Sequence, residues 1–132
     1  MAAPEICFGT RFFRHSRRAY GALSKAGLPD ALYDEWFRPS VENAAVRRDL
    51  VKFATGAPPR RRLLELSERL RTFTKPVLVV WAREDRMMPL GHADRLAEFF
   101  PDATKVIVEN SWTLIPEDQP VVMAEALRAF VG

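Results

Sequence analysis

Pro76-Val77-Leu78-Val79-Val80-Trp81-Ala82, halted by Arg83-Glu84-Asp85, decides the fold of this 132-residue chain. β-Branched side chains favour extended backbone. A run without polar alternation reads as a strand buried on both faces of a parallel sheet, here Val77–Trp81. Downstream, Ala93, Leu96, Ala97 and Phe100 share one helical face that ends at Pro101. Lys105-Val106-Ile107-Val108 follows as a second strand. From Pro120, Met123, Leu127, Phe130 and Val131 predict the inward face of a closing helix. The order strand, helix, strand, helix is a βαβα unit with a right-handed crossover, so the fold class is α/β with two parallel strands.

Upstream, short helices are punctuated by proline. Phe12–Lys25 reads as helical, interrupted by Gly21. Asp30 is expected to cap a helix carrying Leu32, Tyr33, Trp36 and Phe37 that Pro39 stops. Ser40 is expected to cap the next, where Val46, Leu50 and Phe53 recur at i, i+4 and i+7 and Gly56 is the stop. After Pro58-Pro59, Leu63, Leu66 and Leu70 mark the stripe of a third helix. No further strand is visible. Two parallel strands alone leave unpaired edges, because such sheets need several strands with helices on both faces. The sequence therefore reads as the end of a larger sheet, a truncated piece completed by self-association or by a complementary half.

Composition narrows the function. With 48% hydrophobic and 28% charged residues the chain is globular, which excludes wholesale disorder. A single cysteine, Cys7, excludes an internal disulfide or a multi-cysteine metal site. The only histidines, His15 and His92, are too far apart for a paired-histidine zinc motif, so no metal is expected. The glycines at 9, 21, 27, 56, 91 and 132 match neither G-x-S-x-G nor G-x-G-x-x-G nor the Walker A spacing. No secretory signal or membrane-length apolar run is visible, and a reducing, cytoplasmic compartment is the expectation. Residues 1–74 carry 14 Lys or Arg against 8 acids, including Arg47-Arg48 and Arg60-Arg61-Arg62, whereas residues 75–132 carry 6 against 9. No nucleic-acid module surrounds the arginines, so they read as solvated helix faces rather than a nucleic-acid footprint.

The segment from Lys75 to Gly132 resembles the C-terminal part of the α/β-hydrolase fold family. The resemblance lies in the aliphatic strand, then Trp81-Ala82 where the family commonly has Trp-Gly, then Asp85 and Pro89 at the family's offsets. Phe99-Phe100-Pro101-Asp102-Ala103 is similar to the link into its last strand, and Glu117-Asp118-Gln119-Pro120 to its lead-in to the final helix. By the same resemblance, residues 1–74, with Phe8-Gly9-Thr10 and Ala19-Tyr20-Gly21-Ala22-Leu23-Ser24, are the helical cap, and residues 75–132 the last βαβα segment. The resemblance implies that Asp85 descends from the acid that orients a catalytic histidine. The alternative is a loop aspartate paired with Arg83 or Arg86.

The histidine is where the pattern breaks. Aligned on Asp118-Gln119-Pro120, Trp112 and Thr113 stand where the family has Gly-His. Threonine does not titrate near neutrality and cannot serve as general base. His92 reads as a partly exposed residue of a first helical turn, and His15 sits among arginines. Ser111 lacks a glycine elbow, Ser24 reads as a helix-face or capping residue, and Cys7 reads as a small buried hydrophobe. Trp36, Trp81 and Trp112 are candidates to line an apolar pocket, Trp81 being assigned to the core and Trp112 to the neighbourhood of Asp85. The resemblance implies hydrolysis of a small ester, epoxide or related apolar substrate without a cofactor. On these residues the chain is not expected to be catalytic alone. The competing expectation is a non-catalytic interaction subunit.

Overall fold

Both apolar runs are strands. In a computed structural model describing residues 15, 16 and 19–132, they form β1 (Val77–Ala82) and β2 (Ala103–Val108). They are parallel, in register from Val77 opposite Ala103 to Ala82 opposite Val108. The Val77 N–H donates to Asp102 O and the Arg83 N–H to Val108 O, extending the ladder at both ends. Before the strands lie α1 (Asp30–Glu42), α2 (Ala44–Thr55) and α3 (Arg60–Arg69). Between them is α4 (Gly91–Phe99), and after them come the single turn α5 (Ile115–Asp118) and α6 (Pro120–Val131). α4 packs on both strands and α6 on β1. Cys7, Phe8-Gly9-Thr10 and the start of the Phe12–Lys25 helix lie outside the described residues.

Two small cores meet at one dipeptide. Ala82, Val108 and Ile115 form the sheet core, with Val80, Val106 and Met123 packed against it. Leu28, Tyr33 and Phe37 form the helical core, joined by Tyr20, Leu32 and Leu114. Leu114 and Ile115 are neighbours in sequence that enter different cores, so the chain after β2 ties the helical region to the sheet.

Several expected details are corrected. Within Phe12–Lys25 the described residues hold a 3₁₀ turn, Tyr20–Ala22, and no helix continues to Lys25. The backbone doubles back, with Gly21 N donating to Ser16 O at 3.1 Å. A Cβ on Gly21 would lie 2.3 Å from His15 O, so this close approach requires glycine. Pro39 does not stop α1, which runs through it to Glu42. The last carbonyls are satisfied from outside, Arg47 Nη1 donating to Ser40 O at 3.0 Å and to Val41 O at 2.8 Å. Ser40 does not cap α2, because its hydroxyl donates back to Phe37 O at 2.7 Å. Asn43 caps it, its side chain accepting from the Ala45 N–H at 2.9 Å. Asn43→Ala is expected to cost about 1 kcal/mol, read as a lower urea midpoint.

The predicted inward stripes are less covered than their spacing suggests. α2 and α3 bury no residue, and Phe53 is 85% exposed. On α6, Met123 and Phe130 are half-buried, but Leu127 and Val131 face solvent. β1 is not buried on both faces throughout, since only Val79 and Ala82 are fully enclosed. The reason is common to all. Among the described residues the sheet has two strands, too few to give each helix an apolar surface to cover.

Candidate functional site

Parallel strands deliver their following loops to the same end of the sheet, which is where open α/β sheets gather functional groups. Asp85 leaves β1 there and Thr113 leaves β2, and the two side chains meet. Thr113 Oγ1 donates to Asp85 Oδ1 at 3.0 Å. The same oxygen accepts from the Met87 N–H at 2.8 Å and the Met88 N–H at 3.0 Å, so the aspartate also shapes its own turn. A recess of about 200 Å³ lies beside them, lined by Val80, Trp81, Ala82, Met88 and Ile115 together with Asp85 and Thr113.

The alternative partners expected for Asp85 are engaged elsewhere. Arg83 pairs with Glu109, and the Arg86 guanidinium lies 4.2 Å over the Trp112 ring, a cation–π contact. Trp81, assigned to the core, instead lines this recess and donates Nε1–H to Met88 O at 3.1 Å. Trp112 is not among the recess residues, and its ring carries the Arg86 guanidinium. Trp36 packs edge-on to Tyr33 and is exposed.

Neither histidine is hydrogen-bonded to Asp85 or Thr113. His15 Nε2 is 2.6 Å from Asp30 Oδ1, and its ring sits edge-on to Tyr33. His92 sits edge-on to Trp81 in a cleft of about 280 Å³ between α3 and α4, which shares Trp81 with the recess. Ser111 is fully buried, its one hydroxyl proton shared between Trp112 O at 2.9 Å and Asp118 Oδ2 at 3.3 Å, which leaves it no access to a substrate. The geometry thus brings together Asp85 and Thr113, and keeps the other candidates away.

Two acids that sequence reasoning did not single out complete the surroundings. Lys25 Nζ donates to Glu84 Oε1 at 3.3 Å and to Asn110 Oδ1 at 3.2 Å, and the Ser111 N–H donates to Glu84 Oε2. Desolvation pushes the Glu84 carboxyl up, but Lys25 and the loop N–H groups outweigh it and hold it below the usual range. Asn110 takes φ 56°, a left-handed conformation that asparagine tolerates, and turns the chain out of β2. Asp118 accepts from Ser24 Oγ at 2.7 Å and from the N–H groups of Lys25, Ala26 and Trp112 at 2.9, 3.1 and 2.9 Å. Desolvation raises its carboxyl too, yet these donors hold it below the ordinary aspartate value. Ser24 lies 94 positions from Asp118, so no local pattern announced the pair.

Thr113 can hold a carboxylate by donating a proton to it in a hydrogen bond, but cannot take up a proton near neutrality. Among the described residues no group of three His, Cys, Asp or Glu side chains could hold a metal, and no helix is long and apolar enough to cross a membrane.

Comparison with known proteins agrees with this architecture. No family model matches the sequence. Over 64 residues, 48% of this chain, the sequence is 30% identical to a protein of Bacillus subtilis (strain 168) described as "Uncharacterized hydrolase YugF", of which the match covers 23%. The fold superposes on the crystal structure of a serine hydrolase involved in carbazole degradation, the CarC enzyme, with a TM-score of 0.70 and 19% identity. That superposition covers 88% of this chain and 47% of the other. Fold and relatives together define an α/β-hydrolase-like chain. It spans about half the length of the solved neighbour, and the stretch matched in the curated relative is about a quarter of that protein.

Proposed function

We propose that this chain is the acid-bearing end of an α/β-hydrolase site, with Asp85 in the acid's place, Thr113 in the histidine's, and the helices before β1 serving as its cap. It takes part in hydrolysis of a small ester, epoxide or related apolar substrate only when a complementary half supplies nucleophile and base. The observation that carries the reading is the 3.0 Å hydrogen bond from Thr113 to Asp85 at the shared mouth of β1 and β2. A triad needs an imidazole between acid and nucleophile, to take the nucleophile's proton and return it to the leaving group. A hydroxyl in that position conserves the contact and removes the proton acceptor, a loss of about a hundred- to ten-thousand-fold.

With activated esters such as p-nitrophenyl acetate, the chain alone is expected to show hydrolysis at the uncatalysed rate, unchanged in Asp85→Asn. Turnover by the wild type that Asp85→Asn abolishes would refute the reading. The second reading, a non-catalytic interaction subunit, is favoured by the uncovered apolar residues Leu50, Phe53, Leu63 and Leu64 on α2 and α3. Light scattering tests the association that both readings need. A mass above the monomer supports a completed assembly, and a cooperatively unfolding monomer counts against it.

A further inference from the structure

We infer that Asp118 is a positioning residue that joins the turn Ser24–Ala26 to the loop Trp112–Thr113, so that the helical region and the Asp85 mouth are set as one unit. The donors come from both sides. Oδ1 accepts from Ser24 Oγ and the Ala26 N–H. Oδ2 accepts from the Lys25 N–H on the helical side and from the Trp112 N–H and Ser111 Oγ on the loop side. A carboxylate offers about four acceptor sites, and four full donors, with the Ser111 proton shared between Asp118 and Trp112 O, occupy them.

The two hydroxyls are buried, Ser24 at 4% and Ser111 at 0% exposure, and both reach Asp118. Around this point the same segments are joined again. The Leu114 N–H donates to Leu23 O at 2.8 Å, and Lys25 Nζ spans Glu84 and Asn110. Thr113 lies between Trp112, bound to Asp118, and Leu114, bound to Leu23. Its reach to Asp85 is therefore fixed by a carboxylate it does not touch. The inference goes beyond the proposed activity and holds whether or not the chain completes a hydrolase.

Amide hydrogen exchange on the full chain tests it. In Asp118→Asn, whichever way the amide is turned, its NH₂ faces backbone N–H donors instead of accepting from them. The Lys25, Ala26 and Trp112 amides are expected to exchange about tenfold faster together, while the β1–β2 ladder amides keep their rates. Ser24→Ala is the sharper variant, because it removes only a hydroxyl that bonds Asp118 and leaves the Leu23–Leu114 and Lys25 bonds in place. It is expected to quicken Trp112 exchange severalfold along with Lys25 and Ala26. A Trp112 rate unchanged in Ser24→Ala overturns the inference. Should Asp118→Asn lose the ladder protection as well, the Ser24→Ala result decides.

Discussion

Asp118→Ala is expected to lower the unfolding free energy by roughly 3 kcal/mol, measured by urea denaturation at pH 7. The substitution leaves the hydroxyls of Ser24 and Ser111 buried and removes the acceptor from three backbone N–H groups. Each bond to a charged acceptor is worth about 1.5–3 kcal/mol. The losses are not additive, because the freed turn can open to water and satisfy some donors there. The pH dependence has a definite sign. The folded carboxyl lies below the ordinary value of about 3.9, so its contribution is complete above that value and disappears as pH falls through the folded one. Wild-type stability is expected to fall more steeply than that of Asp118→Asn below about pH 4. Parallel acid limbs for the two proteins would show that the native bonds do not favour the charged form.

Tyr33→Ala is expected to cost about 4 kcal/mol, enough to dissolve the helical core. Tyr33 is 1% exposed and stacks on Phe37 with centroids 6.4 Å apart, while the rings of His15 and Trp36 meet it edge-on. Burial, with a smaller contribution from Asp30, pushes its phenol up, so the group is neutral at pH 7. Its hydroxyl donates to Tyr20 O at 3.4 Å, a long bond. Tyr33→Phe is therefore expected to cost less than about 1 kcal/mol, and the gap between the two variants separates packing from hydrogen bonding. Equal losses in both would place the stabilisation in the hydroxyl instead.

The strands were the most legible part of the chain. A six-residue apolar run between proline and charge has few alternatives to extended backbone, and β1 ends one residue past its expected limit at Ala82. Helix boundaries were less legible, because they depend on which of several nearby side chains bonds the terminal backbone groups, a choice residue type leaves open. Pro39 is tolerated inside α1 where Arg47 reaches back to the terminal carbonyls, and Asn43 displaced Ser40 as a cap because Ser40 bonds within its own helix. Inward faces were overestimated on α2 and α3. Periodicity tells which residues share a face but not whether anything covers it.

At the candidate site, the spacing from strand to carboxylate pointed to Asp85, and alignment on Asp118-Gln119-Pro120 pointed to Thr113. Their meeting was expected only through the parallel pairing of β1 and β2, which the register supplies. The role of Asp118 was not visible, although its segment was in plain view. A carboxylate's partners are chosen by three-dimensional proximity, and Ser24, Lys25 and Ala26 are more than ninety positions away.

By itself the sequence determined two parallel strands, the succession of helices around them and an acid at the C-terminal end of the first. These follow from side-chain shape and short-range patterning, which act over a few residues. The tertiary structure alone decided that Trp81 faces the recess, that Ser111 is sealed, and that Asp118 gathers donors from both ends of the chain. Each of these depends on which surfaces come together after folding, where burial makes an unpaired polar group costly and so dictates its partner.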